Sequence, residues 1–110
     1  MIDLINELND LSIRLTHSGE QMKRYGLELA QAEHDYKITL RQEALKLRAE
    51  GMAVTMIDKV VYGVPEVADK RLKRDIAEAM YKTSQESINT LKLKIRIMDA
   101  QIAREWNSNG

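Results

Sequence analysis

The chain has 110 residues, of which 17 are basic and 17 acidic, so with neutral histidines its net charge is zero. That length allows a single domain, and the balance lacks the overall basic excess of a strong nucleic-acid binder. There is no cysteine, which excludes disulfides and thiolate metal sites and fits a reducing cytoplasm.

The charge is unevenly spread along the chain. Residues 1–35 carry seven acids and three bases, residues 36–74 nine bases and five acids, and the remainder five of each. No run of about 18 apolar residues is present, so no transmembrane helix is expected. The N-terminal Met1-Ile2-Asp3-Leu4 lacks the basic start of a signal peptide.

The first element is a helix from about Asp3 to Glu50. Apolar and small residues recur every three or four positions: Leu4, Leu8, Leu11, Leu15, Ser18, Met22, Tyr25, Leu29, Ala32, Tyr36, Leu40, Ala44 and Leu47. This spacing lays one stripe along a helix. Two consecutive four-residue steps between Tyr36 and Ala44 form a stutter, which relaxes a left-handed supercoil. Thr16-His17-Ser18-Gly19 is the weak point, since Ser18 with Gln21 three residues on has the form of a capping box. A continuous helix is expected there, with a break as the alternative. Gly26 is expected to pack closely against another helix.

Gly51 stands where a helix C-cap is favoured. A short helix then runs from Thr55, its expected N-cap, to Tyr62. Pro65 opens a third helix in the favoured first-turn position, with Glu66 and Asp69 near its positive end. Its expected stripe is Leu72, Ile76, Met80, Ser84, Ser87, Leu91, Ile95, Met98, Ile102 and Trp106. The polar tail 107–110 is expected to fray.

Short connections between long helices make them antiparallel neighbours. The expected fold is therefore all-α: a long, coiled-coil-like antiparallel two-helix hairpin with a short helical insert at its tip. The pairing sets Leu4 near Trp106, Leu11 near Met98, Leu29 near Thr83 and Leu47 near Glu66 or Val67. Two helices bury one stripe each and leave most of their circumference wet, so self-association is expected, most simply as a dimer forming a four-helix bundle. The segment from Met52 to Val67 is too apolar for a loop. It covers the hairpin, docks on a second copy or binds something else.

The pattern holds little chemistry. His17 and His34 share no helical face, and a metal site needs three or four converging ligands. The acids alternate with bases on exposed faces, with no buried carboxylate pair whose pKa values would separate. No phosphate-cradling glycine loop and no nucleophile beside a base is present. The expectation is a protein that is not an enzyme and carries no cofactor or metal. The stretch Thr55–Leu72 has the outline of a helix-turn-helix around Gly63. However, Lys59 stands where a small residue is required, and Asp69 where an apolar one is.

Two candidate surfaces remain. Met52, Val54, Met56, Val60, Val61 and Tyr62 on the insert, with Trp106, are candidates for contact with a protein partner. For Trp106 the plainer alternative is a clamp over Leu4 and Ile5. Arg41, Lys46, Arg48, Lys59, Lys70, Arg71, Lys73 and Arg74 form a basic set that would contact phosphates without reading bases.

The stretches Leu47–Thr55, Gly63–Ala68, Asp75–Lys82 and Ile102–Trp106 resemble small helical accessory proteins of the early region of tailed phages and prophages of Gram-positive bacteria. The resemblance covers roughly the second half of the chain. It implies an accessory acting in DNA metabolism or against a host protein, and it brings no catalytic residues. In architecture alone the chain is also similar to secreted helical-hairpin proteins, but their Trp-x-Gly turn is absent, the turn reading Glu50-Gly51-Met52. The expected function is a non-enzymatic, phage-like interaction protein of the bacterial cytoplasm that binds or inhibits a host or phage protein. The alternative is a nucleic-acid-binding accessory of recombination or replication, with a structural virion component as a weaker third.

Overall fold

The computed structural model of the chain describes residues 1–109, and these are all-α. Helix α1 spans Ile2–Ala49 and α2 spans Val54–Val60; a 3-10 turn, Val61–Gly63, leads into α3 at Pro65–Asn109. The topology is the expected helical hairpin with a short helix between its two long ones.

Helix α1 runs through Thr16–Gly19 without a break. The hydroxyls in this region turn back on their own helix instead of capping a new one. Ser12 Oγ donates to the Leu8 carbonyl at 3.0 Å and Thr16 Oγ1 to the Ser12 carbonyl at 3.2 Å. Such back-bonding satisfies a polar side chain within a helix. The end of α1 is a Schellman motif on Gly51, whose φ of 93° is open only to glycine without strain. The Gly51 N–H donates to the Arg48 carbonyl at 3.0 Å, and the Met52 N–H to the Leu47 carbonyl at 3.1 Å. Leu47 and Met52, the pair such a motif brings together, both pack on the neighbouring core.

The start of α2 differs from expectation. Its N-cap is Ala53, in extended conformation and with no side-chain cap bond, while Thr55 lies inside the first turn. The Ala53 carbonyl accepts from the Met56 and Ile57 N–H groups, both at 3.0 Å, so the backbone does what a side-chain cap would have done. Val64 is extended, as a residue before proline must be, and its carbonyl accepts the Ala68 N–H at 2.9 Å. Pro65 takes the first helical position of α3 as expected. At the other end α3 continues past Trp106 through Asn109, with Ser108 Oγ donating to the Arg104 carbonyl at 2.9 Å. The expected fraying at 107–109 is therefore replaced by helix. Gly110 lies outside the described residues.

The chain divides into two compact units. The first joins Met1–Arg24 to the part of α3 from Lys82 onward, and its core holds Leu11, Ile88, Leu91 and the hydroxyl side chain Ser84. Its helices are antiparallel: the Met1 ammonium lies 4.0 Å from Glu105 Oε2, and Leu15 lines a groove with Ile95. The second unit is Tyr25–Tyr81. Its core is Tyr36, Ile57, Val61 and a fully buried Val67, flanked by Leu40, Ala44, Leu47, Met52 and Val64. Here too α1 and α3 are antiparallel. Gly26 faces Tyr81, and Tyr36 lies under Arg74 further along.

Every position of the expected α1 stripe is buried or half-buried. The α3 stripe requires correction in its first half. Leu72, Ile76 and Met80 are exposed, Leu72 at 59 %. The inward row is Val67, Lys70, Arg74, Ala77, Tyr81, Ser84, Ile88 and Leu91; it meets the expected stripe at Ser84 and again from Leu91, with buried Ile88 in place of the expected Ser87, which is exposed. Long cationic side chains can line a seam because their aliphatic stems pack while their charged ends reach water.

Candidate functional site

The insert has two faces. Ile57 and Val61 point into the second unit's core. Val61, expected at a partner contact, is only 4 % exposed and cannot serve as one without opening the core. Met52 is half-buried and packed on the same cluster, held there by the Gly51 turn. Val54, Met56, Val60 and Tyr62 are exposed: Met56 and Val60, one turn apart, lie on the other face, while Val54 continues the spacing of Ile57 and Val61 beyond the covered core. The insert thus covers its own core with one side and leaves an apolar row outside.

Between α1 and the insert lies an open groove of about 280 Å³, lined by Lys37, Leu40, Arg41 and Ala44 on one side and Ile57, Asp58, Val61 and Tyr62 on the other. Its floor is aliphatic and its rim polar. The Arg71 guanidinium sits 5.8 Å from the centre of the Tyr62 ring, within cation–π range.

The expected basic set is divided among different settings. Arg74 donates from Nε and Nη2 to Asp75 Oδ1, at 3.1 and 2.8 Å, and stacks 4.6 Å from the centre of the Tyr36 ring. Its pKa is raised, chiefly by its hydrogen bonds to Asp75. Lys46 donates to Glu43 at 3.1 Å. Lys70 and Lys73 share a groove of about 240 Å³ with Glu28, Gln31, Ala32 and Asp35. Arg41 lies on the rim of the α1–insert groove, Arg71 over Tyr62, and Arg48 and Lys59 are exposed.

Asp35 is held by its own helix. Gln31 Nε2 donates to Asp35 Oδ1 at 2.9 Å, and His34 Nδ1 lies 3.3 Å from the same oxygen. These contacts, Gln31 first, lower the Asp35 pKa below its ordinary 3.8, with a smaller pull from Lys70. Desolvation acts the other way. His17 lines a separate groove with Ser18, Glu20, Gln21 and Arg24. Among the described residues no three His, Asp or Glu side chains converge as a metal site, and no helix is long and apolar enough to cross a membrane.

Trp106 is 70 % exposed and does not clamp the paired helices over Leu4 and Ile5. Glu105, one position earlier, turns inward toward the Met1 ammonium instead. The sequence reading missed Lys37, Leu40 and Ala44 as groove lining. The four-residue step from Leu40 to Ala44, beside a helix dense in valine and isoleucine, was the available signal.

The uneven charge of the sequence does not survive folding as a charged unit. The first unit holds eight bases and seven acids, and the second nine bases and ten acids. Antiparallel pairing sets the acidic start of α1 in the same unit as the basic end of α3. Compared with family models, curated proteins and solved structures, the chain matches none.

Proposed function

We propose that the protein is a non-enzymatic interaction protein that binds another protein through the outer face of its insert, in the manner of the phage accessory proteins its second half resembles. The observation that carries this reading is the two-faced insert. Ile57 and Val61 already meet the protein's own need for burial, yet Val54, Met56, Val60 and Tyr62 remain apolar and exposed beside them. Exposed apolar side chains with an aromatic among them, next to cations, have the composition of a protein-binding surface. Trp106 is a second exposed aromatic, in the first unit. The target is a host or phage protein in the bacterial cytoplasm, and binding it would inhibit or recruit it.

Protein binding has more support than phosphate binding. Lys46 and Arg74 are paired with acids, Lys70 and Lys73 share their groove with Glu28 and Asp35, and the two units carry net charges of only +1 and −1. Capture from a bacterial lysate with wild-type protein and with Met56→Ser/Val60→Ser tests the reading. The wild type retains a specific band that the variant loses while keeping its helicity. Equal capture by both would contradict it. A gel shift that weakens steeply with salt and disappears in Lys70→Gln/Arg74→Gln would favour the nucleic-acid alternative.

A further inference from the structure

We propose that two copies of the chain pair antiparallel along the outer side of α3. Two residues on from each position of the inward row, about 200° around the helix, lies a second row with the same alternating steps of three and four. In the second unit its positions are Asp69, Leu72, Ile76 and Ala79; in the first they include Leu93, Ile97, Ala100 and Arg104. Thr83, Glu86 and Thr90 hold its polar middle. Every one of these is exposed, and Leu72, Ile76, Leu93 and Ile97 are each more than half so. Such spacing makes the seam of a coiled coil, and here the protein's own fold leaves it uncovered.

Charge identifies the occupant and its direction. In and beside the row, the second unit has Glu66, Asp69 and Asp75 with Lys73, three acids to one base. The first unit, from Leu93 onward, has Lys94, Arg96 and Arg104 there and no acid. Apart from Asp75, which accepts from Arg74, none of these has an ion-pair partner within 4.0 Å among the described residues. A second α3 running the opposite way sets the acidic stretch of each copy on the basic stretch of the other. A parallel partner would set acid on acid, base on base and Glu86 on Glu86. With the apolar positions in register, Leu72 meets Ile97 of the second copy, Ile76 meets Leu93, and Glu86 meets Thr83. The same contact forms twice about a two-fold axis, so the pair closes on itself. Burial of the leucines and isoleucines supplies the affinity, and the charges set the direction.

Sedimentation velocity on the full chain over a range of concentrations tests association. The wild type associates, less so as salt rises. Ile76→Ser/Ile97→Ser, at exposed positions outside either core, weakens association roughly a hundredfold or more. Glu66→Lys/Asp69→Lys and Arg96→Glu/Arg104→Glu each weaken it about tenfold or more. An equimolar mixture of these two regains it, because both contacts of the mixed pair are then complementary. Circular dichroism checks that each variant keeps its helices. Direction is read by cross-linking, which the absence of native cysteine makes unambiguous. Mild oxidation of Ile76→Cys mixed with Leu93→Cys gives the mixed disulfide dimer, and neither variant alone gives a dimer of its own. A wild type that stays monomeric overturns the proposal, as does a serine variant that associates normally or a charge mixture that does not recover. So does an Ile76→Cys protein that cross-links to itself, the mark of a parallel pair. Lysate capture through Met56 and Val60 uses neither stretch of α3, so this proposal and the proposed function fail separately.

Discussion

Gly19 and Gly26 lie seven residues apart on one helix and have opposite settings. A Cβ at Gly19 would meet nothing within 4 Å, whereas one at Gly26 would lie 3.3 Å from Tyr81 Cε2. Gly19→Ala is therefore expected to stabilise the fold by roughly 0.5–1 kcal/mol, the helix-interior difference between the two residues. Gly26→Ala gains less or loses, because Tyr81 must move. Thermal melts of the two variants check this, and equal gains would contradict the close approach. Asp35 makes a second test at this scale. Its folded pKa is depressed, so its contribution is present above 3.8 and lost as pH falls through the lower folded value. An NMR titration should find its midpoint below 3.8, and Gln31→Ala should raise it. A midpoint at or above 3.8 would show that the Gln31 bond does not form in solution.

At the scale of elements, Gly51 carries the turn out of α1. Its φ of 93° makes Gly51→Ala a strained substitution in open space, expected to cost about 1 kcal/mol or more in a denaturant melt. No loss would mean that the Schellman turn is not the populated one. The three helices and the whole α1 stripe were legible in the sequence, because leucine, tyrosine and small residues there keep one period. The beginning of α3 was not. Leu72, Ile76 and Met80 outrank Lys70 and Arg74 on any hydropathy scale, yet the inward row is the one with the cations, since Val67 and Tyr81 anchor it and Arg74 stacks on Tyr36. The same one-position displacement recurs at Glu105 and Trp106. Periodicity finds the more apolar row of a helix with two, and contact with a partner helix decides which one turns inward. The apolar insert was recognised, but not its division between Val61 inside and Val60 outside, which depends on how a seven-residue helix is rotated over Tyr36 and Val67.

For the whole molecule, each unit meets its own need for a core, and each leaves apolar side chains outside that need. Leu72, Ile76 and Met80 in one, and Ile13, Ile97 and Trp106 in the other, are exposed together with the outer face of the insert. Neither unit is strongly charged, which directs attention to association with protein surfaces rather than with a polyanion. The proposed function depends on the insert having one face that stabilises the fold and another that is free. A comparison of denaturant melts of Ile57→Ala and Val60→Ala tests that division most directly. Ile57→Ala is expected to lose about 2–5 kcal/mol and Val60→Ala to stay within about 0.5 kcal/mol of the wild type. Equal losses from both, or no loss from Ile57→Ala, would contradict the account.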